Sequence, residues 1–179
     1  AFNKLAENAG YDIKAIDKRV EELLALTKDR PAIANLAVTM ALEHYTAMMA
    51  HEFLANPRHF DRADPEVRAM WRWHAVEEIE HKGVAFDTWN HATRGWSDWQ
   101  RWKVRSLVML SVTGRFFKNR WIDSISLLAQ DGITGWKARW GLFKYLVVSP
   151  GVVRRIFPAW LAYFKPGFHP WDHDDRELI

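Results

Sequence analysis

Two long segments with helical periodicity, residues 31–55 and 65–93, constrain the fold more than any other feature of this sequence. The first begins at a proline and stops at an Asn-Pro pair, and the second begins with Asp64 as a cap and Pro65 in the first turn. About ten residues join the two segments, which favours an antiparallel pair, the basic unit of a four-helix bundle. We therefore predict an all-α fold.

Four further segments bring the predicted total to six helices, and no segment has convincing strand character. Pro158 is expected to kink the last helix, because proline has no backbone N–H to donate. The tail that begins at Lys165 is rich in proline and is predicted to be irregular. The four segments are 12–28, 98–120, 136–148 and 150–164, with a short separate piece at 122–130.

Composition limits the chemistry that the chain can perform. It contains no cysteine, so disulfides, thiolate metal sites and iron–sulfur clusters are excluded, and any metal must have nitrogen and oxygen ligands. Residues 99–165 contain twelve Lys/Arg against only Asp123 and Asp131, and eight of the eleven tryptophans lie at or after Trp96. This basic, Trp-rich half favours an anionic surface as a partner. Uncharged runs are too short to span a bilayer.

The second long helix contains the residues that suggest chemistry. At about 100° per residue, His74, Glu78 and His81 project from one stripe, and Glu77 lies at its edge as a marginal candidate. Carboxylates can bridge two ions, and imidazole suits iron, manganese or zinc. The alternative is a solvated polar face whose charges only cap the helix and form ion pairs.

Glu43 strengthens the metal hypothesis because it lies within an apolar stripe of the first long helix. Burying an isolated carboxylate there would cost several kcal/mol, and a cation would remove that cost. A carboxylate from one helix together with Glu78-x-x-His81 from the next is half of a ferritin-like di-metal arrangement. We therefore expect residues 1–95 to be the metal-binding part of a ferritin-like helical bundle. Residues 96–179 are then a C-terminal helical extension packed on the same domain.

Three stretches of the sequence resemble a bacterial family of predicted metal-dependent hydrolases, and the resemblance covers essentially the whole chain. It implies a ferritin-like di-metal protein in which a further segment, with a Glu on one helix and a Gln-Glu-x-x-His-type motif on the next, precedes the part matched here. Upstream helices are accordingly expected to be missing, which makes this a half-site. The stretches are Leu42–Ala47, Trp73–Asp87 and Pro166–Asp174.

The His-x-x-x-Glu-x-x-His pattern is also similar to that of the di-iron arylamine N-oxygenases, in which an additional histidine joins the usual ligands. By that comparison His74 is a metal ligand. Alternatively, His74 only hydrogen-bonds a ligand carboxylate. In a half-site the repulsion between Glu43 and Glu78 would be partly unrelieved, so at least one of them should have a raised pKa or a basic partner.

The predicted function is that of an enzyme with two metal ions, iron in first place and manganese or zinc as alternatives. By analogy of fold, a carboxylate-rich site favours oxidase or oxygenase chemistry, and the hydrolase of the family name is the alternative. A non-catalytic protein at a membrane surface is the rival from another class. The expected partners are a small-molecule substrate, an anionic membrane surface and, as an option, a second copy of the chain. No specific nucleic acid is expected, and the expected location is the cytoplasm or the inner membrane face.

Four other histidines have weaker claims to a metal. His44 and His51 could flank the site, but a partly exposed seam between helices explains them better. His169 and His173 in the tail could also bind an ion, yet we expect the tail to dock through its aromatic residues instead.

Overall fold

The computed structural model describes residues 2–179, which form eight α-helices and contain no strand, so the all-α prediction is confirmed. Short 3₁₀ turns occur at Pro57–Phe60 and Pro170–Asp172, and a π-helical turn at Lys144–Val148 follows the seventh helix. Ala1 lies outside the described residues. The helices are α1 (Phe2–Asn8), α2 (Lys14–Ala25), α3 (Ala32–Ala55), α4 (Pro65–His81), α5 (Val84–Ala92), α6 (Asp98–Gln130), α7 (Gly135–Phe143) and α8 (Val152–Ala162).

The prediction of one helix over residues 65–93 is wrong, because a turn at Lys82 and Gly83 separates α4 from α5. The Trp171 indole lies directly against Gly83, and a side chain at position 83 would overlap it. Glycine also weakens a helix interior relative to alanine. The break therefore coincides with the place where the tail docks.

The separate piece predicted at 122–130 is also wrong, since it belongs to α6, which runs for 33 residues without interruption. No glycine or proline occurs between Gly114 and Gly132 to stop the helix. Within this stretch the buried Asp123 lies 2.6 Å from Arg19 of α2 and 2.7 Å from Arg120, which fixes α2 against α6.

Three other predicted boundaries shift by a few residues, as helix ends commonly do. The helix expected at 12–28 is α2, and the one expected at 150–164 is α8 with Pro158 inside it. The helix expected at 136–148 is α7 followed by the π-helical turn.

Helix α3 is the centre of the structure and is apolar on nearly all sides. One side contributes Met40, Tyr45 and Met48 to a core shared with α5, α6 and α8. The other side packs Ala50 and Leu54 against Ala75 and Ile79 of α4. A helix that is apolar around its circumference is typically a buried one. No helix in the described part of the chain is both long and apolar enough to cross a bilayer.

Helices α3 and α4 run antiparallel. The C-terminal half of α3 contacts Ala75 in the middle of α4, whereas Glu43, earlier in α3, lies near Glu78 and His81 at the end of α4. Asp64 caps α4 by accepting a hydrogen bond from the Glu66 backbone N–H at 2.8 Å. The two helices thereby bring the predicted site residues to one end of the pair.

Candidate metal site

The structure brings four predicted residues, Glu43, His74, Glu78 and His81, to neighbouring positions on α3 and α4; we call this group the carboxylate face. Burial raises the pKa of Glu43 above its ordinary value, the nearby charge of Glu78 raises it further, and His81 partly offsets both. His74 Nε2 lies 3.3 Å from Glu78 Oε1. Glu43 thus has the predicted raised pKa, with burial as the larger cause and repulsion by Glu78 as the smaller one, and Glu78 has an imidazole within ion-pair distance.

The carboxylate face is open to solvent on one side. The His74 side chain is 47% exposed and that of Glu78 is 21% exposed. Glu77, the marginal candidate, is partly buried, and its side chain forms no ion pair or hydrogen bond with a described residue. Apart from the pair of His74 and Glu78, the packing of α3 against α4 brings the group together.

A second group of potential ligands forms where the tail, residues 165–179, returns to α3. His51 Nδ1 lies 2.7 Å from Asp175 Oδ1 and 3.2 Å from His173 Nε2, and the last two atoms are 3.4 Å apart. We call His51, His173 and Asp175 the triad. Among the described residues, the triad is the one group of three or more His, Asp or Glu side chains that could hold a single ion. Its ligand atoms all lie within 4.8 Å of one another.

The donor atoms of the triad fit a divalent ion. With bonds of about 2.1 Å, the ligand atoms of a tetrahedral zinc site lie roughly 3.4 Å apart, close to two of the three edges seen here. The third edge, between His51 and Asp175, has hydrogen-bond length and would lengthen slightly around an ion. Two imidazoles and one carboxylate also suit iron(II). The Asp175 side chain is 4% exposed but that of His173 is 57% exposed, which leaves one side of the triad open.

Lys82 holds the carboxylate of the triad from behind. Its side chain is 3% exposed, and its ammonium group donates to Asp175 Oδ2 and to the His173 backbone carbonyl, both at 2.6 Å. Burial alone would raise the pKa of Asp175, but hydrogen bonds from His51 and Lys82 outweigh it and the pKa is lowered. Asp175 therefore presents Oδ1 to the triad as a charged oxygen.

Aromatic contacts dock the tail, as predicted, and two basic side chains of the helices add to them. The Phe168 ring contacts His44 and Tyr163 with centroids 5.2 and 5.3 Å apart, and Trp171 lies under the Lys82 ammonium group at 4.7 Å. The buried Arg105 donates to the Lys165 carbonyl at 2.9 Å and to the Phe168 carbonyl at 3.3 Å. These contacts fix the tail on the N-terminal side of its two ligands.

The triad lies at the wall of a cavity of about 390 Å³ between α3, α8 and the tail. This volume falls within the usual range of small-molecule sites. No residue of the carboxylate face lines the cavity. The lining combines apolar groups with charges of both signs, including Met48, Ile156, Ala159, the cations Lys82, Arg155 and Lys165, and the carboxylates of Glu52, Asp172 and Asp175.

The remaining histidines have structural partners. His44 was expected in a partly exposed seam, but it is buried, and its Nε2 lies 3.3 Å from the Ala159 carbonyl. His169 Nε2 lies 2.9 Å from Asp87 of α5, away from the triad. The sequence interpretation named His51 and His173 separately but missed Asp175. The only local signal was the His-Asp-Asp run at 173–175.

Comparison with known protein families agrees with this ligand chemistry. A family described as "predicted metal-dependent hydrolase" matches residues 1–174 of the chain. Neither a curated protein nor a solved structure shows significant similarity to it. The family description and the cluster of His and Asp side chains both support metal dependence. The chain belongs to the family of predicted metal-dependent hydrolases.

Proposed function

We propose that this protein is a metal-dependent hydrolase whose ion is held by His51, His173 and Asp175. The observation that carries the proposal is the convergence of two imidazole nitrogens and one carboxylate oxygen within 3.4 Å at the wall of a cavity. Two histidines and a carboxylate hold catalytic zinc in several hydrolase families and leave a further position for water or substrate. Zinc is therefore the first candidate ion.

When bound, such an ion supplies Lewis acidity toward water and toward a scissile carbonyl or phosphoryl group. The residues of the chain bind and orient the reactants. Lys82 keeps Asp175 charged and in place, and Met48 and Ile156 provide apolar contacts in the cavity. A dry, shaped cavity beside the ion is what the protein contributes to such a reaction.

Lys165, which forms no ion pair with a described residue, supports a substrate with an anionic group at this cavity, whereas the charge of Arg155 is already paired with Glu52. Arg155 and Lys165 line the cavity and are solvent-exposed. Arg155 Nε lies 3.4 Å from Glu52 and donates to the Pro150 carbonyl at 3.0 Å, which fixes the guanidinium group at this wall. We therefore propose a small amphipathic ester or related compound with an anionic group as the substrate.

A second candidate function is the di-metal oxidase or oxygenase predicted from the carboxylate face. The observation that favours it is the raised pKa of Glu43 beside Glu78, because an ion between the two carboxylates would relieve their repulsion. His74 and His81 would then complete the ligand set from this chain. In this alternative the triad fixes the tail and the carboxylate face holds the ions.

Metal binding by matched variants distinguishes the two sites. The purified chain, stripped with a chelator, is titrated with Zn²⁺ and with Fe²⁺ under argon, and bound metal is measured by elemental analysis. His173→Ala removes one triad ligand but keeps the carbonyl that accepts from Lys82. His169→Gln is the control in the same tail, and Glu78→Gln tests the carboxylate face.

The hydrolase proposal predicts that His173→Ala lowers Zn²⁺ affinity at least 100-fold, whereas His169→Gln and Glu78→Gln bind normally. It also predicts metal-dependent cleavage of chromogenic carboxylate or phosphate esters, lost in His173→Ala. Loss of metal in Glu78→Gln but not in His173→Ala would contradict the triad and favour the carboxylate face. Oxygen consumption and optical spectra of the iron-loaded protein would then test the redox alternative.

A further inference from the structure

Helix α7 has an exposed aromatic face formed by Trp136, Trp140 and Phe143. These side chains are 75%, 51% and 41% exposed. Their rings stack in a row, with centroids 6.0 Å apart between the tryptophans and 5.4 Å between Trp140 and Phe143. Three large apolar rings in one continuous exposed row are unusual on a soluble surface and mark an interaction site.

The geometry of α7 directs this row away from the rest of the protein. Ala138, on the inner side of the helix, is 1% exposed. At about 100° per residue, the three rings lie roughly 140–200° around the helix from Ala138. The aromatic face is therefore the outer surface of α7 and is accessible to a large partner.

Cations flank the aromatic face on both sides. On the same helical projection, Arg139 lies on one side of the rings, and Lys137 and Lys144 lie on the other. All three are exposed, and none forms an ion pair with a described residue. From Gly132 to Lys165 the chain has six Lys/Arg and no acidic residue. Within this segment, no carboxylate balances the positive charge around the rings.

We propose that the aromatic face of α7 docks on an anionic lipid membrane. Trp and Phe would enter the boundary between headgroups and acyl chains, and the flanking cations would contact lipid phosphates. An apolar stripe between rows of cations is the arrangement of helices that lie in the membrane interface. A second copy of the chain fits less well, because stacking two such faces would bring six cations together. The inference does not depend on the proposed hydrolase activity.

Cosedimentation with vesicles tests the proposal on the full chain. Vesicles of phosphatidylcholine with 30% phosphatidylglycerol are compared with pure phosphatidylcholine at low and high salt. One variant, W136A/W140A/F143A, removes the rings, and another, K137E/R139E/K144E, reverses the flanking charges. The controls are Trp99→Ala and Lys28→Glu, which change an exposed Trp and an exposed Lys elsewhere. Circular dichroism verifies that every variant is folded.

The expected result is binding to anionic vesicles that weakens as salt rises, because salt screens exposed charges. Each cation removed should lower the partition coefficient roughly five-fold, which corresponds to ~1 kcal/mol. Both triple variants should lose binding while the two controls retain it. Equal binding to neutral vesicles, or unchanged binding by the ring variant, would overturn the proposal. So would a dimer in sedimentation velocity that only the ring variant abolishes, because a second copy would then cover the face.

Discussion

The buried imidazole of His44 should make the stability of this protein depend on pH. His44 is 7% exposed, and its neutral Nε2–H donates to the Ala159 carbonyl. Burial lowers the pKa of His44 from 6.5 to about 4. The ring also packs against Tyr163 and Phe168 at 4.8 and 5.2 Å, so protonation would place a charge among aromatic groups.

The direction in which stability changes with pH depends on whether the folded or the unfolded chain protonates His44 at the higher pH. As pH falls below about 6.5, the unfolded chain protonates at His44 while the folded chain does not, until pH reaches about 4. The stability that depends on neutral His44 is therefore present above pH 6.5 and is lost progressively as pH falls from 6.5 to about 4. The interval between the two pKa values corresponds to roughly 3 kcal/mol.

The assay is urea unfolding of wild type and His44→Gln from pH 7.5 to 4, with a chelator present so that bound metal does not contribute. Glutamine keeps a donor for the Ala159 carbonyl but does not titrate. The difference in unfolding free energy between the two proteins should be constant above pH 7. It should then change by about 3 kcal/mol in favour of the variant as pH falls to 4.

Replacement of the exposed His91 by Gln is the matched control, because it removes an imidazole from the surface. Comparing differences between proteins cancels the titration of all other groups. A wild-type minus His44→Gln difference that stays flat across the whole range would refute the reasoning, since His44 would then bind its proton equally in both states.

Two further predictions concern the docking of the tail. Lys82→Met should cost about 3–5 kcal/mol in urea unfolding, because Asp175 would remain buried without its cation; a cost below 1 kcal/mol would show that the pair contributes little. Gly83→Ala should cost about 1–2 kcal/mol, because the new methyl group meets the Trp171 indole. Gly114→Ala, where nothing lies within 4 Å, should instead be neutral or stabilising, and equal stability of the two alanine variants would contradict the predicted overlap.

Helical periodicity predicted α3 and the start of its antiparallel partner α4 well, because proline signals lie at both ends of α3 and at the start of α4. The same reasoning joined α4 to α5, since the spacing of apolar residues continues through Gly83. Gly83 is the one local signal at the break, and the Trp171 indole that packs against it is 88 positions away in sequence. Local patterns cannot reveal a contact made by a distant segment.

The same limit explains the two candidate sites. The carboxylate face could be predicted because Glu78 and His81 share one helix and Glu43 lies on its neighbour. The triad could not, because His51 and Asp175 are 124 residues apart and the second lies in an irregular tail. A helical projection predicts which side chains share one face of a helix, but it does not predict which helix a proline-rich tail will contact.

The return of the tail to α3 also makes the triad a long-range cross-link of the chain. An ion shared by His51 and Asp175 would close a loop of 124 of the 179 residues. On the chain-entropy treatment of cross-links, a loop of about 100 residues contributes ~4.7 kcal/mol by restricting the unfolded state. The bound ion would thus act as a reversible cross-link between α3 and the tail. The melting temperature should rise with free metal concentration, and cleavage within the tail should abolish that rise.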